Sequence, residues 1–338
     1  MENTFIVQDK KTYLSNLQKE ADFWGKMAEE RWKDGIPLTM DYQLGTRYRV
    51  RRNSLGWGDY IQDPELENLT PFGKARRKFI EFAKVCPGKR ALDLCCGAGF
   101  LSLELARAGK QVDAFDCSER EINVAKKYQS QLEIQPSGKI NWFIADLNNY
   151  EFPCEEYDLV MAWDGLHHIP NIDGLCEQIY RSLKPGGKFL FCERVWGGKS
   201  QTIKTKVGRA LETTINAFLP LAWPYSKRMD DFRNMLEVLF KKYLLKKNIK
   251  NKRIFADYEH ETPFEDSTGK EMLDAIRRFF LIEKTYSFGA FSEEACRSLN
   301  LPRPLRIPSI LFLSWFDYFW VKIGLLEGKI LMGYTVKK

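Results

Sequence analysis

The stretch Arg90 to Ala106, RALDLCCGAGFLSLELA, decides the fold. Ala91, Leu92 and Leu94 make a short apolar strand with one acid, Asp93, near its end, and Cys95, Cys96, Gly97, Ala98 and Gly99 form a turn of small residues. An amphipathic helix over Leu101 to Ala108 follows. Strand, tight turn and helix in this order make a nucleotide-type loop. Glycine belongs in such a turn because a residue without a Cβ lets backbone amides approach a ligand and adopts positive φ without strain.

Gly97-Ala98-Gly99 is half of the dinucleotide fingerprint, whose third glycine would fall on Ser102. Asp93 discriminates between ligands. A carboxylate beside the loop repels a pyrophosphate but suits an ammonium and a sulfonium, the two cations of S-adenosylmethionine (SAM). The charge therefore favours SAM over NAD, and a dehydrogenase becomes the outside reading.

Further acids stand at strand ends. Gln111 to Phe115 reads as a second strand ending in Asp116, 17 positions after Gly99, from where a carboxylate can accept hydrogen bonds from a ribose diol. Ile140 to Ala145 is a third strand ending in Asp146, within reach of an adenine amino group, and Tyr157 to Ala162 a fourth, followed by Trp163-Asp164-Gly165-Leu166-His167-His168-Ile169. Leu183-Lys184-Pro185-Gly186-Gly187 turns into a fifth strand, Lys188 to Cys192.

With these motifs the chain resembles the class I SAM-dependent methyltransferases, in their broad small-molecule, methyltransferase type 11-like branch, over roughly Lys74 to Arg194. The resemblance implies that Asp93, Cys95, Gly97 and Gly99 hold the methionine part of SAM, Asp116 the ribose, and Asp146 and Leu147 the adenine, with Cys117 and Trp163 completing the cofactor contacts. Cys95 departs from the pattern: the family usually has its first loop glycine there.

Alternating strands and helices imply right-handed crossovers and a parallel sheet covered on both faces, with the cofactor at the carboxyl ends of the strands. The expected architecture is α/β: a Rossmann-like, doubly wound, mostly parallel seven-stranded sheet with a helical N-terminal extension and a helical cap insertion. Residues 1–68 form the extension, 69–195 the SAM-binding core, 196–268 the cap, and 269–338 the completion of the sheet. A helix from Lys11 to Lys33 and a segment with Arg47, Arg49, Arg51 and Arg52 suit either a lid over cofactor and acceptor or a plain cover. Leu69 to Cys86 reads as a helix begun by Thr70-Pro71, and Ser118 as the N-cap of a helix ending at Ser130. Thr202 to Leu219 and Asp230 to Leu245 are expected cap helices, Gly269 to Arg278 a further helix, and Phe279 to Tyr286 and Gly328 to Val336 the closing strands.

The 338 residues, 44% hydrophobic, suffice for one large domain with additions. Eight cysteines without metal-type spacing read as reduced thiols, and no metal site is expected. The first residues, MENTFIVQDKKTYL, lack an apolar signal core, so a cytoplasmic location is expected. A formal charge of +7 allows an anionic partner without requiring nucleic acid. The basic run Lys241 to Arg253 reads first as a solvated face and second as a docking surface for phosphate, anionic lipid or RNA. The apolar run Ile307 to Leu326 contains Asp317 and Lys322, and one charge near the centre of a span costs ~2.5–3.5 kcal/mol, which favours a buried or partly buried helix, with peripheral membrane contact second.

Candidate bases are few: His167 and His260, with Glu193 and Asp164 as carboxylate rivals, while His168 matches a family histidine whose role is often structural. The resulting expectation is a SAM-dependent methyltransferase acting on the oxygen or nitrogen of a small-molecule or lipid- or glycan-like acceptor. An RNA methyltransferase and a non-catalytic SAM-binding interaction protein are the alternatives. Acceptor and oligomeric state are open.

Overall fold

The computed structural model describes residues 10–46, 48–50, 60–194, 263–264, 269–290, 292–293, 296, 303–326 and 328–337. The chain begins with α1 (Lys10–Lys33), a two-stranded antiparallel ribbon of β1 (Tyr48–Val50) and β2 (Tyr60–Gln62), and the short α2 (Pro64–Glu67). Alternation then sets in: α3 (Pro71–Val85), β3 (Arg90–Leu94), α4 (Phe100–Arg107), β4 (Gln111–Asp116), α5 (Glu119–Ser130), β5 (Lys139–Ile144), β6 (Tyr157–Trp163), α6 (Ile172–Ser182), and β7 (Leu183–Arg194). The described elements end with α7 (Gly269–Phe279), β8 (Ile282–Phe288), α8 (Arg303–Lys322) and β9 (Ile330–Val336). One seven-stranded sheet runs in the order β5-β4-β3-β6-β7-β9-β8. β9 lies antiparallel between β7 and β8, while β3 to β7 are mutually parallel.

The period-two pattern of the strands builds both layers. Leu92 and Leu94 face the same way as Phe115, Val160, Phe189 and Phe191, and pack under Ile172, Leu175 and Ile179 of α6 and Met272 and Ile276 of α7. Their neighbours Ala91, Val112, Leu159, Met161 and Leu190 face the other layer, Phe79 and Ile80 of α3 and Leu101 and Leu105 of α4. Strand order reverses between β3 and β6, so the crevice between them opens at the carboxyl ends of β3, β4 and β6. The expected caps form: Thr70 Oγ1 accepts the Gly73 N–H at 3.2 Å with Pro71 next to it, and Ser118 Oγ accepts the Glu121 N–H at 3.4 Å.

Three expectations change. The expected strand at Phe279 begins at Ile282, because the Phe280 N–H still donates to Ile276 and its ring completes the face of Met272 and Ile276. The expected fifth strand at Lys188 begins at Leu183; the Lys-Pro-Gly-Gly turn is an irregularity inside it, with Gly186 at φ +78 where β6 and β7 slip register. Third, α8 is mostly exposed on its apolar side: Ile310, Ser314 and Asp317 are its buried residues, while Phe312, Trp315 and Phe319 face out. The expected cap helices within 196–268 lie outside the described residues.

One buried acid of the N-terminal extension, Asp41, ties it to helices α4 and α5. Asp41 accepts from Arg107 Nη1 and Nη2 at 2.8 and 2.6 Å, from Tyr128 at 2.8 Å, and from the N–H groups of Gln43 and Leu44. Burial alone would raise its pKa, but Arg107, Leu44 and Tyr128 together hold it below the usual carboxylate range. Asp41→Ala leaves Glu104 as the acid still paired with Arg107 and strands the Tyr128 hydroxyl and the Gln43 and Leu44 N–H groups, and is expected to cost about 3 kcal/mol in urea unfolding. Because the folded pKa is depressed, the wild-type advantage is present above pH ~4 and disappears as pH falls through the folded value.

Candidate active site

The loop after β3 carries three residues at positive φ: Cys95 at +53, Gly97 at +51 and Gly99 at +89. Cys95 therefore adopts a left-handed backbone that favours glycine, and a side chain must be housed. Gly165 houses it: a Cβ there would stand 2.5 Å from the Cys95 Cβ, and the Cys95 thiol points at the Gly165 carbonyl at 3.5 Å. At Gly99 a Cβ would meet the Trp142 ring at 2.3 Å, while at Gly97 it would meet only the Glu121 carboxylate, at 3.7 Å or more. The loop is thus closed on the Trp142 side and open at Gly97, a cradle lined by backbone and acids.

Asp93 is buried, accepts from Ser102 Oγ at 2.6 Å, and is pushed up to about 7 by burial. Asp116 accepts the N–H of Gly97 through one oxygen and that of Ser118 through the other, both at 2.9 Å; burial raises its pKa. Glu121, on the first turn of α5, is raised to about 8 by burial and by Asp116, and its Oε2 has no partner among the described residues. Asp146 accepts from the Asn148 N–H at 3.0 Å, from Asn149 Nδ2 at 2.7 Å, and from the Tyr13 hydroxyl. Cys117 is half-buried between Asp116 and Ser118, and burial raises its thiol pKa.

Two expected cofactor residues are committed to the core. Leu147 packs with Phe115 and Phe152, and Trp163 is packed edge-on against Phe72 and Phe79, both at 5.2 Å between ring centres, and against Phe100 at 6.1 Å.

Of the expected bases, the structure joins His167 and Glu193; His260 lies outside the described residues. His167 Nδ1 is 2.8 Å from Glu193 Oε2, and Glu193 Oε1 accepts the N–H groups of Gly165 and Leu166 at 3.0 and 2.9 Å. The carboxylate end of β7 thereby fixes both the turn after β6 and the imidazole. Glu193 is fully enclosed rather than facing an open acceptor pocket, because all these donors converge on it. Burial alone would lower the His167 pKa, but the Glu193 hydrogen bond and charge outweigh it and raise it. Since Glu193 is an acceptor, Nδ1 carries the proton in the neutral ring and Nε2 keeps a lone pair; Nε2 has no partner among the described residues. Asp164 beside it accepts from Arg194 Nε at 2.8 Å; burial would raise its pKa, but Arg194 and His167 lower it.

The N-terminal helix adds residues that the motifs do not reveal. Ser118 Oγ donates to the Ala21 carbonyl of α1 at 2.7 Å, Arg120 pairs with Glu29, and Tyr13 reaches Asp146. Glu20, buried at 3% exposure, accepts from Trp24 Nε1 at 2.7 Å and lies 3.0 Å from His168 Nδ1, while its Oε2 has no partner among the described residues. The signal was available: Tyr13, Leu17, Glu20 and Trp24 share one helical stripe, and an acid on an otherwise apolar stripe is a buried acid.

A doubly wound sheet with one antiparallel strand next to its edge, a loop of small residues after the first core strand, and acids after the first three core strands are the arrangement that the resemblance to the class I SAM-dependent methyltransferases implies. Residues 91–187 match the family described as a methyltransferase domain. A ubiquinone biosynthesis O-methyltransferase of Coxiella burnetii is 33% identical over 127 residues, 38% of this chain and 53% of that protein. A 2-phytyl-1,4-naphtoquinone methyltransferase of Synechococcus elongatus is 34% identical over 116 residues, 33% of this chain and 49% of that protein. The chain thus spans about half the length of the curated relatives it matches. A solved SAM-dependent methyltransferase of Mesorhizobium loti is 18% identical, with 74% of this chain and 92% of that one covered at a TM-score of 0.42.

Asp93 gives a testable sign. Its folded pKa lies above its unfolded value, so its contribution is present below pH ~4 and lost as pH rises through about 7, by up to ~4 kcal/mol. Asp93→Asn keeps an oxygen for Ser102 and removes the ionisation; its urea midpoint is expected to exceed that of wild type at pH 8, with the gain vanishing toward pH 4. The same variant is expected to weaken SAM binding at least tenfold by calorimetry, since it removes the negative charge from the cradle.

Proposed function

We propose that the protein transfers a methyl group from SAM to a hydroxyl of a small aromatic acceptor of the quinol or phenol type. One observation carries the proposal: buried carboxylates around an open glycine loop stand on the same sheet end as a carboxylate-held imidazole. The acid set fits SAM. Burial raises Asp93 and Glu121 to about 7 and about 8, and a ligand bearing an ammonium and a sulfonium favours their ionised forms. The acceptor type follows the names of two curated relatives, an O-methyltransferase of ubiquinone biosynthesis and a 2-phytyl-1,4-naphtoquinone methyltransferase.

Asp93 and the Gly97–Gly99 loop would hold the methionine part, Asp116 the ribose hydroxyls through lone pairs not used by Gly97 and Ser118, and Asp146 the adenine, sharing its oxygens with Tyr13. When bound, SAM supplies an activated methyl on a good leaving group, so the protein's work is positioning and proton removal. His167 Nε2 accepts the acceptor's hydroxyl proton as the oxygen becomes nucleophilic. Glu193 fixes the ring through Nδ1 and stabilises the imidazolium that forms. α1 lies across this end of the sheet through Tyr13, Glu20 and Ala21, which supports the lid role for residues 1–68.

The test is calorimetric titration with SAM and its demethylated product, followed by transfer of labelled methyl to a panel of catechols and quinols. Asp116→Ala is expected to weaken SAM binding at least tenfold. His167→Ala is expected to lower kcat by ~10²-fold with unchanged SAM affinity. The wild-type rate should fall as pH drops below the raised pKa of His167, because only the neutral ring accepts a proton. Absence of SAM binding would overturn the reading, and SAM binding without transfer to any acceptor would leave a non-catalytic SAM-binding protein.

A further inference from the structure

Helix α8 turns Ile310, Ser314 and Asp317 inward, half-buries Ile307, Leu313, Phe316, Trp320 and Val321 against its neighbours, and leaves a further apolar stripe outside. Asp317, fully buried, accepts the N–H of Ala290 at 2.9 Å and that of Ser292 at 3.0 Å, and Ser314 Oγ donates to the Leu69 carbonyl at 3.1 Å. These bonds fasten the helix to the end of β8 and to the start of α3. They also fix which way it faces. Leu311, Phe312, Trp315, Tyr318, Phe319 and Ile323 recur at intervals of three and four and form one outward stripe, with Phe312 60% and Trp315 61% exposed. The rings lie along each other, Phe312 on Phe316 at 6.0 Å and Trp315 on Phe319 at 6.2 Å between centres.

Six large apolar side chains in one continuous row are more than a monomer ordinarily leaves in water. We propose that this stripe docks in the interfacial layer of an anionic phospholipid bilayer, with α8 lying in the plane of the membrane. Its charges select that occupant. The ionic side chains of α8 are Arg303, Arg306, Asp317 and Lys322; the one acid is buried, and the exposed members, Arg303 and Lys322, are cations at opposite ends. Arg303 pairs with Glu65, while Lys322 lies 5.9 Å from the Tyr318 ring at the end of the stripe. Tryptophan and tyrosine rings suit the headgroup level, lysine at the margin meets the phosphates, and a chain charge of +7 favours an anionic surface. No described helix is long and apolar enough to cross a membrane, so the helix lies on the bilayer rather than through it. The surface follows from the helix alone and does not depend on which acceptor is methylated.

Full-length protein is sedimented with vesicles of phosphatidylcholine, with and without one-third phosphatidylglycerol, beside the double variant Phe312→Gln/Trp315→Gln and the single variant Lys322→Glu. The wild type is expected to bind the anionic vesicles, the double variant at least tenfold less, and Lys322→Glu less on anionic vesicles only. All three should titrate SAM alike, which shows that the fold is intact. In vesicles of brominated lipid, tryptophan quenching should fall in Trp315→Phe. Lack of wild-type binding to either vesicle overturns the proposal, as does binding that the double variant retains. A wild-type dimer that the double variant converts to monomer would assign the stripe to a second copy instead and equally overturn it.

Discussion

One carboxylate ties the candidate site together. Asp116 takes the N–H of Gly97 with one oxygen and that of Ser118 with the other, so the loop leaving β3 and the turn entering α5 share a single acceptor. Neither backbone could shift alone without stranding a buried donor, and a buried unpaired amide costs more than the bond itself returns. Ser118, thus placed, both caps α5 and anchors α1 through the Ala21 carbonyl. Cofactor cradle, core helix and N-terminal extension therefore depend on the end of one strand.

Around that point the protein concentrates acids away from water. Asp93 and Glu121 are displaced toward neutrality and Asp116 is raised as well, all chiefly by burial. Such an arrangement is poor for the stability of the ligand-free protein and good for a ligand that presents cationic groups to it, because the field they meet has no water to screen it. Glu193 shows the opposite treatment. Its two oxygens receive two backbone N–H groups and an imidazole, so it is a fixed support for His167 rather than a site in waiting.

Much of this was legible in the sequence where local pattern and tertiary demand agree. The strand at Ala91 to Leu94, the glycine loop, the acids after three strands and the caps at Thr70 and Ser118 follow from residue type and spacing. The seven-stranded sheet follows from alternation and from the family resemblance together. Legibility failed where a side chain's role is set by something far along the chain. Glu20 reads as a buried acid from its apolar stripe, but its partner His168, 148 positions on, is not legible there. Asp317 reads as an interruption in an apolar helix, whereas Ala290 and Ser292 make it the anchor, and the helix is turned accordingly. Trp163, beside the Asp164–Ile169 turn in sequence, is held by Phe72 and Phe79 of a helix that precedes it by about eighty residues.

α1 is the first described element to leave the ribosome and can be among the last to find its place. Its partners lie 97 residues on for Ala21 with Ser118 and 133 residues on for Tyr13 with Asp146. Until β4, α5 and the turn after β5 have emerged and assembled, the helix has no docking face, and its own short-range contacts are too few to hold it. The order of synthesis thus leaves the carboxyl ends of β4 and β5 without α1 while the sheet forms.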